Sequence, residues 1–230
     1  MQTNIEKQRS PWLQVALDVE SIDEALAIVK MVAPFVDILE AGTPLIKSEG
    51  IKAIQALKEA HPDKLVCADL KTADAGYLEV KMAAKAKADI VTILADAYAV
   101  TIKEALRAAY EFQVEIMTDL IMSRAPPITL ASIMDLHYKN TKIHYALVHS
   151  GLDRQASRRA PFYELESVVR IRDHPRLAIA GGIREEDISK LLVYPLSIII
   201  VGGGITHTKN PSESAERIRK VITNYYDKIS

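Results

Sequence analysis

The chain has 230 residues, of which 49% are hydrophobic and 26% are charged, and this is the composition of an ordinary folded domain rather than a disordered or fibrous protein. Its 29 lysines and arginines nearly balance 30 aspartates and glutamates, so the overall charge gives no reason to expect nucleic acid or an anionic membrane as a partner. The polar amino terminus lacks an apolar targeting region, and we expect a cytoplasmic protein. The single cysteine, Cys67, excludes an intrachain disulfide.

Short apolar segments alternate with longer amphipathic ones along the whole chain, which is the pattern of β/α units around a parallel sheet. Eight strands are predicted, at residues 12–18, 36–42, 64–70, 88–94, 114–120, 144–150, 176–182 and 197–203. Eight such units close a barrel, so the sequence predicts a single (β/α)8 TIM-barrel domain over residues 1–230. The rival is a doubly wound open sheet, which is disfavoured because no G-x-G-x-x-G follows the first strand.

The segments between the strands predict the outer helices of the barrel, for example at residues 78–88 and 101–112. Ser21 with Glu24 three residues later is typical of a capping box at a helix start. The Pro-Pro pair at residues 126–127 interrupts regular helix, so we predict a loop that enters a helix near Thr129.

Four predicted strands end in a carboxylate, and in a parallel barrel all strand ends of this kind face one mouth. These residues are Asp18, Glu40, Asp69 and Asp119. Uncompensated acids repel each other and resist burial, so a cation is implied. Glu40 and Asp69 offer the hard oxygen ligands that Mg²⁺ takes. The alternative is a structural salt-bridge cluster at the barrel rim.

The run D-L-K-T-A-D at residues 69–74 adds a lysine to this mouth. Lys71 shares a strand face with Asp69, and Asp74 falls in the following turn. A lysine between two carboxylates stays protonated, so it can stabilise negative charge developing on a substrate oxygen. His149 ends the sixth strand and is a candidate proton carrier, with a structural histidine as the alternative.

Glycine pairs follow the seventh and eighth strands. They are Gly181 with Gly182, and Gly202 with Gly203. Bare backbone N–H groups beside a helix start bind anions, and barrels often hold phosphate at this place. The sequence therefore predicts a phosphate site, unless the glycines only permit tight turns.

Three stretches, L-Q-V-A-L-D, D-I-L-E-A-G-T-P-L-I-K-S-E-G and A-D-L-K-T-A-D-A-G, resemble the orotidine 5'-monophosphate decarboxylase suprafamily. Within it, they are most similar to the 3-hexulose-6-phosphate synthase branch, over about residues 12–218. This resemblance implies a homodimer with shared active sites, Mg²⁺ or Mn²⁺ as cofactor, an enediolate intermediate, and a phosphorylated sugar and formaldehyde as substrates.

The resemblance also implies a role for each matching residue. Glu40 and Asp69 bind the metal, Lys71 stabilises the enediolate, Asp74 reaches into the partner subunit's site, and His149 handles the substrate proton. Assigned to substrate binding are Asp18, Asp119, Gly181, Gly182, Gly202 and Gly203.

Three positions help to choose between branches of the suprafamily. Asp119, Leu152 and Ala180 match the synthases, whereas the 3-keto-L-gulonate-6-phosphate decarboxylases have glutamate, arginine and threonine there. Two departures concern the substrate: Ser150 stands where an arginine usually follows the histidine, and A-D-A-Y-A-V after the fourth strand lacks the usual acidic pair. A decarboxylase of either type and a non-catalytic phosphosugar-binding barrel remain alternatives.

Overall fold

The computed structural model describes residues 10–153 and 161–228, and eight parallel strands close a barrel in this part of the chain. The barrel strands are β1 (Trp12–Leu17), β2 (Ile38–Ala41), β3 (Leu65–Thr72), β4 (Ile90–Leu94), β5 (Glu115–Asp119), β8 (Tyr145–His149), β9 (Arg176–Ala180) and β10 (Leu196–Val201). Their order is β1-β10-β9-β8-β5-β4-β3-β2. The predicted (β/α)8 barrel is confirmed, and the open-sheet alternative is excluded because the first and last strands pair with each other.

Helices surround this barrel. They are α1 (Ile22–Val32), α2 (Thr43–Glu49), α3 (Lys52–Ala60), α4 (Gly76–Lys85), α5 (Ala99–Phe112), α6 (Pro126–Ile133), α7 (Phe162–Val169), α8 (Glu185–Leu191), α9 (Gly203–Thr206) and α10 (Pro211–Asp227). The predicted start of α1 is confirmed, because Ser21 Oγ accepts the backbone N–H of Glu24 at 3.3 Å. No helix of the described residues is long and apolar enough to cross a membrane.

Two local features differ from the sequence prediction. Helix α6 begins at Pro126 rather than near Thr129, because prolines in a first turn need no intrahelical hydrogen bond and their fixed φ suits a helix start. A small antiparallel hairpin, β6 (His137–Tyr138) and β7 (Thr141–Lys142), lies between α6 and β8. Two-residue strands leave too few alternating positions for a pattern to predict them.

The alternation of side chains along the strands separates two apolar layers. One set packs outwards against the helices, and the other fills the barrel interior, with Cys67, Met117 and Tyr145 among its members. Side chains two residues apart on a strand point the same way. Asp69 follows Cys67 on β3, Asp119 follows Met117 on β5, and His149 follows Leu147 on β8. The strand period therefore aims these polar side chains into the mouth above an apolar floor.

Candidate active site

Asp69 is the centre of a hydrogen-bond network at the carboxyl end of β3. It is 4% exposed, and its Oδ2 accepts from the Lys71 ammonium and from Thr43 Oγ1 at 2.7 Å. Its Oδ1 accepts from Thr92 Oγ1 at 2.8 Å. Burial by itself raises the pKa of the Asp69 carboxyl, but the charge and the hydrogen bonds of these neighbours outweigh it. The net pKa lies below its ordinary value, so Asp69 is a carboxylate at neutral pH.

Lys71 reaches its position through an irregular end of β3. Its φ is +48°, and the register between β3 and β4 shifts between Ala68 and Thr72. A lysine in the left-handed region is unfavourable and is found mainly where surrounding structure imposes it. Burial lowers the Lys71 pKa, but the charges of Asp69 and Asp119 outweigh that effect and raise it above its ordinary value. Lys71 is therefore a fixed positive charge.

Asp119 joins Lys71 to His149. It is fully buried, its Oδ2 lies 2.9 Å from His149 Nδ1 and 3.5 Å from Lys71 Nζ, and its Oδ1 accepts the N–H of Ile121 at 2.9 Å. A carboxylate accepts hydrogen bonds only, so His149 Nδ1 is the donor and Nε2 is the nitrogen available for proton transfer. This is the arrangement in which a buried acid fixes the tautomer and orientation of a histidine base.

Glu40 lies beside this network at the carboxyl end of β2 and is 7% exposed. Its Oε2 accepts from Gln14 Nε2 at 2.5 Å, and Gln14 itself is fully buried in β1. Burial raises the pKa of Glu40 well above its usual range, and the negative charges of Asp69 and Asp18 add to this. Glu40 is thus a buried acid without a cationic partner of its own among the described residues.

Asp18 lies one residue past β1, between the ends of the flanking strands β2 and β10. A Cβ on Gly42 would lie 2.3 Å from Asp18 Oδ1, and one on Gly202 would lie 3.6 Å from Oδ2. The side chain therefore packs over the glycine that precedes α2. The residue as a whole is exposed, but its neighbours shield the carboxyl group from water. This desolvation raises the pKa of the Asp18 carboxyl, and the negative charge of Asp69 raises it further. Asp18 has the exposure that a substrate contact requires.

The two glycine pairs meet at the ends of the neighbouring strands β9 and β10. Gly181 has φ +105°, and a Cβ there would lie 2.2 Å from the carbonyl oxygen of Ser150. On the other side, a Cβ on Gly204 would lie 2.4 Å from the carbonyl oxygen of Ile183, so the two loops touch. The exposed Gly182 and Gly203 lie at this junction, where the first N–H groups of α9 have no intrahelical acceptor.

Some residues at the mouth were not assigned a role from the sequence. Thr43 and Gln14 hold acidic side chains, and His207 lies with its Nδ1 3.0 Å from the Cβ position of Gly203. Gln14 had a visible signal, because it is a polar residue inside the otherwise apolar strand W-L-Q-V-A-L. His207 had no visible signal in the sequence. It follows the short helix α9, and its position near Gly203 is set by the tertiary structure.

Asp74 is separate from this cluster. It is exposed in the turn between β3 and α4, and no ion pair joins it to another residue of the described ranges. The predicted contact with a partner subunit stays a prediction. Tyr98 and Arg124 are also exposed, at the loops that follow β4 and β5.

The acidic residues of the mouth fit a divalent cation. Asp18, Glu40, Asp69 and Asp119 outnumber the single lysine among them. Burial raises the pKa of Glu40, and the negative charges of Asp69 and Asp18 raise it further, so a cation beside it would be favourable. No group of three His, Cys, Asp or Glu side chains suited to a metal occurs in residues 10–153 and 161–228. Two carboxylates, Glu40 and Asp69, are nevertheless enough for Mg²⁺, which keeps several water or substrate oxygens in its coordination shell.

The model of the Orotidine 5'-phosphate decarboxylase / HUMPS family matches residues 11–218. The chain belongs to this family. It is 37% identical to the 3-hexulose-6-phosphate synthase of Mycobacterium gastri, with 91% of this chain and 99% of the relative covered. Among solved structures, the 3-hexulose-6-phosphate synthase of Salmonella typhimurium matches with a TM-score of 0.88 and 34% identity over 93% of this chain and 99% of that one.

Another solved structure, KGPDC from Streptococcus mutans, is less similar in sequence, at 26% identity. It matches with a TM-score of 0.83 over 93% of this chain and 98% of that one. The predicted resemblance to the suprafamily and its synthase branch is confirmed, as is the prediction of an enzyme related to these synthases.

Proposed function

We propose that the chain catalyses the reversible, divalent-metal-dependent aldol condensation of D-ribulose 5-phosphate with formaldehyde to D-arabino-hex-3-ulose 6-phosphate. The observation that carries this proposal is the sharing of Asp119 by His149 and Lys71. A proton acceptor and a fixed positive charge then face the same mouth, and this is what enediolate chemistry requires.

The first step is removal of a proton from C1 of ribulose 5-phosphate. His149 accepts it at Nε2, while Asp119 holds Nδ1 and stabilises the imidazolium that forms. The electron pair of the broken C–H bond moves into a C1–C2 double bond and leaves negative charge on the C2 oxygen. The Lys71 ammonium is the group of the network that stabilises this charge.

The second step forms the new carbon–carbon bond. The enediolate attacks the formaldehyde carbon through C1, and the resulting alkoxide takes a proton from the imidazolium of His149, so that the base is regenerated. When bound by Glu40 and Asp69, Mg²⁺ or Mn²⁺ would supply Lewis-acid stabilisation of the oxygen charges. The reverse reaction uses the same groups.

In this proposal the substrate phosphate binds to the backbone of Gly181, Gly182, Gly202 and Gly203. Asp18 binds the sugar hydroxyls. Binding energy from the remote phosphate positions the reacting end of the sugar. Asp119 was expected to touch the substrate, but it is fully buried and its oxygens are hydrogen-bonded. We therefore assign it to positioning Lys71 and His149.

A homodimer with Asp74 of each subunit in the partner's site completes the proposal. The exposure of Asp74, outside the ion-pair network of its own chain, is consistent with such a contact. Leu152 and Ala180 favour the synthase over the decarboxylase: the exposed Leu152 offers no positive charge for a substrate carboxylate, and Ala180 pairs with His149 but offers no hydroxyl.

The test is formaldehyde consumption by purified protein with ribulose 5-phosphate and Mg²⁺, with and without EDTA. Rapid consumption that EDTA abolishes is expected, and CO₂ release from 3-keto-L-gulonate 6-phosphate should be absent. A folded protein that consumes no formaldehyde would contradict the proposal, and release of CO₂ would favour the decarboxylase.

A further inference from the structure

Gln14 is a polar residue in the apolar interior of the barrel. It is 0% exposed, and its backbone neighbours on the adjoining strands are Ile38 and Ile200. A buried carboxamide loses the hydration of both its N–H groups and its carbonyl oxygen, so an interior position favours an apolar side chain unless hydrogen bonds replace the water. Barrel interiors are usually filled by branched apolar residues.

The hydrogen bonds of Gln14 are incomplete in a way that a purely structural role does not explain. Its Nε2 donates to Glu40 Oε2 at 2.5 Å, whereas its buried Oε1 has no partner among the described residues. Buried polar groups in native proteins are nearly always satisfied, and exceptions commonly belong to functional sites. The side-chain bond that Gln14 makes is directed at an acidic residue of the mouth.

The hydrogen bond from Gln14 fixes the terminal side-chain torsion of Glu40, which would otherwise vary. The terminal torsion of a glutamate is broad, so a carboxylate held at one oxygen is far better oriented than a free one. Asp69 has its orientation set by Thr43, Thr92 and Lys71. Within the described part of the chain, Glu40 has its orientation set by the hydrogen bond from Gln14.

We propose that Gln14 is a positioning residue that orients the Glu40 carboxylate for binding of a divalent cation at the barrel mouth. This inference rests on the proposed function, in which Glu40 and Asp69 hold the cation. Partners that orient metal ligands from behind typically contribute about 10–100-fold to metal affinity. Gln14 therefore contributes to affinity without touching the cation.

The experiment compares Gln14→Met with a matched control. Met has a similar length but no hydrogen-bonding amide. Gln55 of α3 also donates to a glutamate, Glu59, at 2.8 Å, but on the exposed surface, so Gln55→Met makes the same chemical change away from the mouth. Binding of Mn²⁺ alone is titrated by electron paramagnetic resonance, and thermal unfolding is followed without metal.

Gln14→Met should weaken Mn²⁺ binding by roughly 10–100-fold. Its midpoint of unfolding without metal should change little, because an unsatisfied amide oxygen is removed while Glu40 Oε2 loses one hydrogen bond. Gln55→Met should bind Mn²⁺ like the wild type. A Gln14→Met protein with Mn²⁺ affinity within about twofold of the wild type, well short of the change expected for such a partner, would overturn the inference. So would a wild type without measurable Mn²⁺ affinity.

A large fall in the unfolding midpoint of both Gln14→Met and Gln14→Leu would assign Gln14 a structural role and also overturn the inference. Failure of the proposed function has a different signature. In that case the wild type binds Mn²⁺ and the Gln14→Met substitution weakens this binding, but neither the wild type nor any variant consumes formaldehyde with ribulose 5-phosphate.

Discussion

Replacement of Lys71 by Met is the perturbation that tests the site most directly, because it removes the fixed positive charge and keeps the length of the side chain. At 3.5 Å from Asp119 Oδ2, the ammonium interacts with that carboxylate by about 5 kcal/mol at an effective dielectric constant of about 20. A preorganised charge of this kind typically contributes about 3–4 kcal/mol to a transition state. Turnover by Lys71→Met should therefore fall by hundreds-fold.

The same substitution leaves two buried carboxylates without their cation. Breaking a buried pair costs about 3–5 kcal/mol, and for a chain of this size each kcal/mol lowers the unfolding midpoint by roughly 2–4 °C. Lys71→Met should thus unfold about 6–20 °C below the wild type in the absence of metal. Lys220, which pairs with Glu216 on the surface of α10, provides the matched control.

The assay is the initial rate of formaldehyde consumption at saturating substrate, at a temperature where thermal unfolding establishes that each variant is folded. Exchange of the C1 proton of ribulose 5-phosphate with solvent, followed by NMR without formaldehyde, isolates the deprotonation step. Both rates should fall together in Lys71→Met and stay unchanged in Lys220→Met. A folded Lys71→Met protein within about threefold of the wild-type rate, when a lost charge should cost far more, would refute the role given to Lys71.

Three further substitutions test the tautomer of His149, the backbone at Gly181 and the pH dependence of stability. Asp119→Asn should lower turnover by about 10²–10⁴-fold with little change in substrate KM, because an amide no longer fixes the required tautomer of His149; a normal rate would exclude that role. Gly181→Ala should lower the unfolding midpoint by about 5–10 °C, because a positive φ and a clash with a carbonyl oxygen combine, whereas Gly50→Ala, with a positive φ in open space, should lose much less. Burial lowers the pKa of His144 below 6.5, so folding favours the neutral ring and stability should be lost as pH falls below about 6.5. Urea unfolding of the wild type and His144→Gln between about pH 7 and 5 should give a smaller pH dependence for the variant, and equal slopes would contradict this assignment.

The alternation of apolar strand segments with amphipathic helix segments was sufficient to predict the barrel, because eight β/α units are the number that closes one. The predicted strand ends agree with the structure to within one or two residues, because these buried strands end where polar side chains and glycines begin. The predicted start of α6 was wrong, because we interpreted the proline pair as an interruption of the helix. Prolines are acceptable in a first helical turn. The hairpin β6–β7 was too short to carry a signal.

The sequence by itself determined which acidic, basic and glycine residues come to the mouth, because the carboxyl ends of parallel strands in a barrel converge. Only the tertiary structure decided how each of them is buried and which neighbours it contacts. Asp119 is fully buried between Lys71 and His149, whereas Asp18, also at a strand end, is exposed. Gln14 donates a hydrogen bond to Glu40, which lies on the adjacent strand β2 but 26 residues away along the chain. Such contacts depend on barrel closure and strand register, which no local pattern contains.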